Sequence, residues 1–72
     1  MPDSMQVMVN GQERSVANGA TVGSLIAELG VPGSGRGVAV AVDGAVVPRS
    51  QWPEAALRPG VRVEVLTAVQ GG

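Results

Sequence analysis

Apolar and polar residues alternate with two different periods along this chain. Met5-Gln6-Val7-Met8-Val9 has the two-residue period of a half-buried strand, with Met5, Val7 and Val9 on one face and Met8 on the other. Asn10-Gly11 follows, a hairpin signal because both residues tolerate positive φ. The return strand, Gln12 to Val16, is polar, as an edge strand can be. After the connection Ala17-Asn18-Gly19-Ala20 the period lengthens. Val22, Leu25, Ile26 and Leu29 fall at i, i+3, i+4 and i+7 and make one apolar stripe on one helix. Thr21 is placed as its N-cap, Gly30 as the left-handed residue that ends it, and Pro32 keeps it from resuming.

The second half returns to the two-residue period. Pro32 to Gly37 reads as a turn-rich loop. A phosphate cradle would need a strand before the glycines and a helix after them, whereas here a strand follows. Val38-Ala39-Val40-Ala41-Val42 is a strand with Val inward and Ala outward, Asp43-Gly44 a turn, and Ala45-Val46-Val47 a short strand stopped by Pro48. Arg49 to Glu54 is irregular or a single helical turn, with Trp52 placed to cap the core rather than to anchor a partner. Arg58-Pro59-Gly60 then leads into a last strand, Val61 to Leu66. The order β-β-α-β-β-β, with one helical stripe to bury, predicts an α+β fold. It is one mixed sheet of four or five strands with one amphipathic helix packed on one face. The first and last long strands are the most apolar, which places them at the centre, side by side and parallel. That arrangement is the β-grasp, or ubiquitin-like, fold. The expected division is an N-terminal extension over 1–4, the β-grasp domain over 5–69 and a C-terminal tail over 70–72. Met5 is an alternative start to Met1.

Composition narrows the picture. With 72 residues, no Phe, no Tyr and one Trp, the core is built from Val, Ala, Leu, Ile and Met. Such a core is thin for a single domain near the lower size limit. There are no cysteines to staple it or to hold a metal through thiolates. Five basic residues stand against six acidic ones without a basic cluster, which gives no nucleic-acid footprint. No apolar run approaches the roughly 18–20 residues that span a membrane, and the N-terminus carries no export signal. The expected location is the cytoplasm.

The chemistry is expected at the end of the last strand. Ala68-Val69-Gln70-Gly71-Gly72 carries two glycines, whose missing Cβ lets a backbone enter a narrow channel in another protein. The carboxylate of Gly72 is the candidate reactive group, with Gly71 and Gln70 as the tail that delivers it. A carboxylate reacts with a nucleophile only once its oxygen has been made a leaving group. With no Cys the chain offers no thiol as a carrying group, and with no Lys it offers its own activated terminus no side-chain amine. A docking face is expected beside the tail: Leu66 pointing outward beside Met8, Ala39 and Ala41, with Ala68 next to them. No catalytic residue and no metal ligand is expected. There is no His or Cys, Asp43 beside Gly44 is a turn residue, and Ser24 has no base to activate it.

Over nearly its whole length the chain resembles the ThiS family, the sulfur carriers of thiamine biosynthesis. The resemblance is carried by Val9-Asn10-Gly11-Gln12, by Gly19-Ala20-Thr21-Val22 running into Leu25 and Leu29, by Val46-Val47-Pro48-Arg49-Ser50-Gln51-Trp52, and by Gly71-Gly72. The terminal pair is shared with ubiquitin and other carriers of this fold, whereas the Val-Pro-Arg-x-x-Trp segment is more specific. The short extension before Met5 is the one departure. The resemblance implies that the Gly72 carboxylate is adenylated by an E1-like adenylyltransferase (ThiF-like) that uses ATP, and is then converted to a thiocarboxylate. It further implies that the sulfur passes to a thiazole synthase (ThiG-like), with a cysteine desulfurase as the source. The chain itself would bind no cofactor and would be a co-substrate rather than an enzyme.

Other readings differ in what they require. The small subunit of molybdopterin synthase, MoaD, shares fold and tail, but its members tend to be longer and approach Gly-Gly through a proline-rich segment. A carrier for another sulfur route, such as cysteine synthesis, fits the same residues. A non-carrier β-grasp binding module would keep working if its terminus were extended by one residue, and a carrier would not.

Overall fold

A computed structural model of the protein describes residues 3–30 and 37–67. Five strands, β1 (Ser4–Val9), β2 (Gln12–Ala17), β3 (Val38–Val42), β4 (Ala45–Val47) and β5 (Arg62–Thr67), form one sheet in the order β2-β1-β5-β3-β4. β1 and β5 run parallel at its centre, and the other neighbouring pairs are antiparallel. The helix α1 (Val22–Leu29) covers one face, and a 3₁₀ helix over Arg49–Glu54 joins β4 to the last turn. This is the β-grasp arrangement that the order of periods predicts.

Local chemistry sets the boundaries. The hairpin turns Asn10-Gly11 and Asp43-Gly44 have positive φ at both central residues, 51° and 83° in the first and 50° and 84° in the second. That geometry follows the right-handed twist of the flanking strands. Thr21 caps α1 reciprocally with Ser24. The Ser24 N–H donates to Thr21 Oγ1 at 3.2 Å and the Thr21 N–H donates to Ser24 Oγ at 2.9 Å. Gly30, at φ 71°, ends the helix, and its N–H donates to the Ala27 carbonyl.

Four boundaries differ from the sequence expectation. β1 begins at Ser4 rather than Met5, because Ser4 pairs with Ala17 and the Asp3 carbonyl accepts from the Asn18 N–H at 3.0 Å. Ser4, assigned to the N-terminal extension, is therefore part of the sheet. β2 extends one residue beyond Val16 for the same reason. Val61 belongs to the turn, its N–H donating to the Arg58 carbonyl, and β5 runs one residue beyond Leu66 to Thr67. The loop expected over Pro32 to Gly37 lies outside the described residues except for Gly37.

The core is one cluster. Val7, Val40 and Val63 from the sheet meet Val22 and Leu25 from the helix, and all five are essentially removed from solvent. Trp52 closes one end of this cluster. It is 6% exposed, its indole N–H donates to the Val47 carbonyl at 2.9 Å, and it lies in the core rather than on a binding surface. The segment after it is tied to the start of the helix, with the Val22 N–H donating to the Ala55 carbonyl and the Leu57 N–H to the Ala20 carbonyl, both at 2.9 Å. Here helix and 3₁₀ segment approach so closely that a Cβ on Gly23 would lie 3.4 Å from the Pro53 backbone.

With so few large side chains, each one matters. Leu25→Ala is expected to cost about 3 kcal/mol and to lower the Tm by about 12–24 °C in a domain of this size. Trp52 fluorescence during thermal unfolding measures it, and a fall of only a few degrees would mean that Leu25 is not central to the core.

Candidate functional site

The expected reactive residues, Gly72 with Gly71, Gln70 and the neighbouring Ala68, lie outside the described residues. The structure describes the platform from which they leave. β5 is paired on both sides, with β1 at Arg62 and Val63 and with β3 along its whole length, from Val42 opposite Val63 to Val38 opposite Thr67. Two side chains add to this pairing. Asn10, where β1 turns away, accepts from the Val65 N–H through Oδ1 at 2.8 Å and donates through Nδ2 to the Val65 carbonyl at 3.1 Å. On the other side Asp43 Oδ1 accepts from the Arg62 N–H at 3.1 Å, and the Asp43 N–H donates to the Arg62 carbonyl at 2.8 Å. Both turn residues thus serve as β5 clamps. Sequence reading identifies their turns and misses their second role, since Asn10 and Val65 stand 55 positions apart.

On the face of the sheet away from α1, the register decides which residues adjoin. Leu66 lies opposite Ala39, and Ala41 lies between Glu64 on β5 and Val46 on β4. Among the described residues Leu66 and Val46 are the large apolar side chains left exposed, at 68% and 75%. With Ala39 and Ala41 they form an apolar strip beside the start of the tail. Met8 does not join it. It is half-buried and pairs with Arg62, four residues and about 13 Å of strand before Leu66, with the charged Glu64 between. The expectation that Met8 adjoins Leu66 is corrected accordingly, because the parallel register of β1 and β5 overlaps only near the beginning of β5. Val46 was missed. Its alternation in a three-residue strand was too short to assign a face before its partner, Ala41, was known.

Among the described residues there is no cluster of three or more His, Cys, Asp or Glu that could hold a metal ion. Ser24 Oγ is engaged by both Thr21 backbone groups, donating to the Thr21 carbonyl at 3.0 Å, and Asp43 holds a strand. Each of these polar side chains has a structural task. Among the described residues no helix is long and apolar enough to cross a membrane.

Residues 7–72 match the model of the ThiS family, a span that includes Gly71 and Gly72. This chain belongs to the ThiS family. It is 31% identical over 68 residues to the sulfur carrier protein ThiS of Escherichia coli, a match covering 94% of this chain and 100% of that protein. The crystal structure of a thiamine biosynthesis protein (ThiS) from Geobacter metallireducens superposes with a TM-score of 0.79 at 30% identity, over 94% of this chain and 100% of that one. The solution structure of a thiamine biosynthesis protein from the same organism gives a TM-score of 0.80. The chain is also 35% identical over 68 residues to a thiazole synthase of Paramagnetospirillum magneticum, of which it spans 20% of the length.

As a ThiS-family domain, the molecule carries its fixed geometry in β5 and the two turns that hold it. Asp43→Ala removes the acceptor of the Arg62 N–H and places alanine at φ 50°. The expected loss is about 1–2 kcal/mol. Asp43→Asn keeps an acceptor oxygen and tolerates that φ, and is expected to be nearly neutral. Urea unfolding distinguishes the two, and equal midpoints would show that the Asp43 clamp contributes nothing.

Proposed function

We propose that this chain is a sulfur carrier of thiamine biosynthesis whose cargo rides on the Gly72 carboxylate. A ThiF-like, E1-like adenylyltransferase transfers AMP from ATP to that carboxylate and releases pyrophosphate. The outer sulfur of a persulfide, supplied through a cysteine desulfurase, then displaces AMP to give an acyl disulfide, and a thiol of the loading enzymes attacks its S–S bond, forming a disulfide and releasing the carrier as a thiocarboxylate. The thiocarboxylate gives its sulfur to a ThiG-like thiazole synthase. In this scheme ATP is used by the activating partner, the carrier binds no cofactor, and the exchange takes place in the cytoplasm. The chain acts as a co-substrate.

The observation that carries this reading is the family match running through Gly72, together with a carrier from Escherichia coli that aligns over its full length. The similarity to a fifth of a thiazole synthase supports that enzyme class as the acceptor, since one polypeptide there contains a segment like this carrier. Geometry fits the same roles. Five residues follow Thr67, and fully extended they reach about 17 Å, enough to enter an enclosed site while the domain stays outside. The strip of Leu66, Val46, Ala39 and Ala41 is the surface on which the activating enzyme would dock.

Two tests follow. In a strain lacking this chain, growth on minimal medium should require thiazole, and the full-length protein should replace thiazole whereas a version lacking Gly72 should not. Growth without thiazole would remove the thiamine assignment. For the docking face, Leu66→Asp and Val46→Asp should each raise the KM for the carrier in the pyrophosphate-release assay of the adenylyltransferase by about tenfold while leaving the Tm within a few degrees. Unchanged KM for both would place docking elsewhere.

A further inference from the structure

We propose that Asn10 is a positioning residue for sulfur loading, setting the line along which the tail leaves the domain. The proposal rests on the carrier reading above. β1 pairs with β5 through its backbone only as far as Val63, where the Asn10 N–H donates to the Val63 carbonyl at 2.9 Å. There the chain turns back at Asn10-Gly11, and the next strand-pairing site on β5, Val65, faces the space that β1 has left. The Asn10 carboxamide fills that space. Its two ends meet the N–H and the carbonyl of Val65, the two bonds that a longer parallel β1 would have divided between two residues. An amide is the side chain suited to this, since it offers one acceptor and one donor at the spacing of a peptide group. Asn is also a residue that accepts the φ of 51° found here.

The place of this clamp gives it its role. Val65 is two residues before Thr67, the last described residue of β5, and seven before Gly72. By the alternation of a ladder, Val63, Val65 and Thr67 direct their backbone groups toward β1, and Glu64 and Leu66 direct theirs toward β3. Without the carboxamide, the last four residues of β5 would be held by β3 alone. The direction in which Thr67 leaves the sheet would then vary relative to the apolar strip that docks. A carboxylate delivered over five residues from a swinging base reaches an enclosed site less often, even when docking is unchanged.

Asn10→Gly is the variant that tests this, because glycine keeps the turn conformation and removes only the carboxamide. Amide hydrogen exchange of the free protein should show the Val65 N–H exchanging about tenfold faster while the Val7 and Val40 amides stay protected. In the pyrophosphate-release assay with the ThiF-like adenylyltransferase and ATP, kcat should fall roughly three- to tenfold with KM for the carrier unchanged. Asp43→Ala, which loosens the opposite end of β5 at Arg62, serves as the control of similar instability and should keep the wild-type kcat. Three results would overturn the proposal: wild-type exchange at Val65 in Asn10→Gly, an undiminished kcat, or an equal loss of kcat in Asp43→Ala. Adenylation of the wild-type chain in the same assay tests the carrier reading on its own.

Discussion

The molecule depends on the pairing of β5 with two neighbours at once. Its inward residues, Val63 and Val65, complete the apolar floor beneath α1, and its backbone bonds join the β1-β2 hairpin to the β3-β4 hairpin. In the sheet order no other strand bridges those two hairpins. Burial and ladder hydrogen bonds therefore reinforce one another along a single six-residue stretch. The side-chain clamps from Asn10 and Asp43 lie on this strand, at its two flanks, and both come from hairpin turns. A core with one aromatic residue and no disulfide has little else to hold its halves together.

That same strand leads into the chemistry. The inner face of β5 holds the fold, its outer face contributes Leu66 to the exposed apolar strip, and its end leads into the Gly-Gly tail. A carrier has to be recognised by its surface and processed at its end. Continuity of one strand sets the exposed Leu66 directly before the residues that lead to the chain end.

Much of the fold was legible because the relevant signals are local. The 3.6-residue stripe of Val22, Leu25, Ile26 and Leu29, the cap residues Thr21 and Gly30, and two turn dipeptides each act within a few positions of themselves. The central placement of β1 and β5 followed from their apolar content. What sequence reading missed was set across the sheet. The separation of Met8 from Leu66 depends on how far parallel β1 overlaps β5, and the membership of Val46 in the apolar strip depends on the β3-β4 register. The carboxamide of Asn10 meets a backbone 55 positions away, and nothing near it in the sequence announces the contact. Family membership compensates for part of this. Gly71-Gly72 is a weak signal by itself and becomes specific within a match that covers 7–72.

The parallel neighbours at the centre of the sheet are the first and last strands of the chain, which has a consequence for biosynthesis. While the protein is being translated, β1 waits for a partner that is made last, and two hairpins with uncovered apolar faces precede it. Closure across that sequence distance is the slow, entropically costly step of folding. A chain that stops short of β5 lacks the strand that joins the two hairpins and has no finished core, so it does not accumulate as a folded domain.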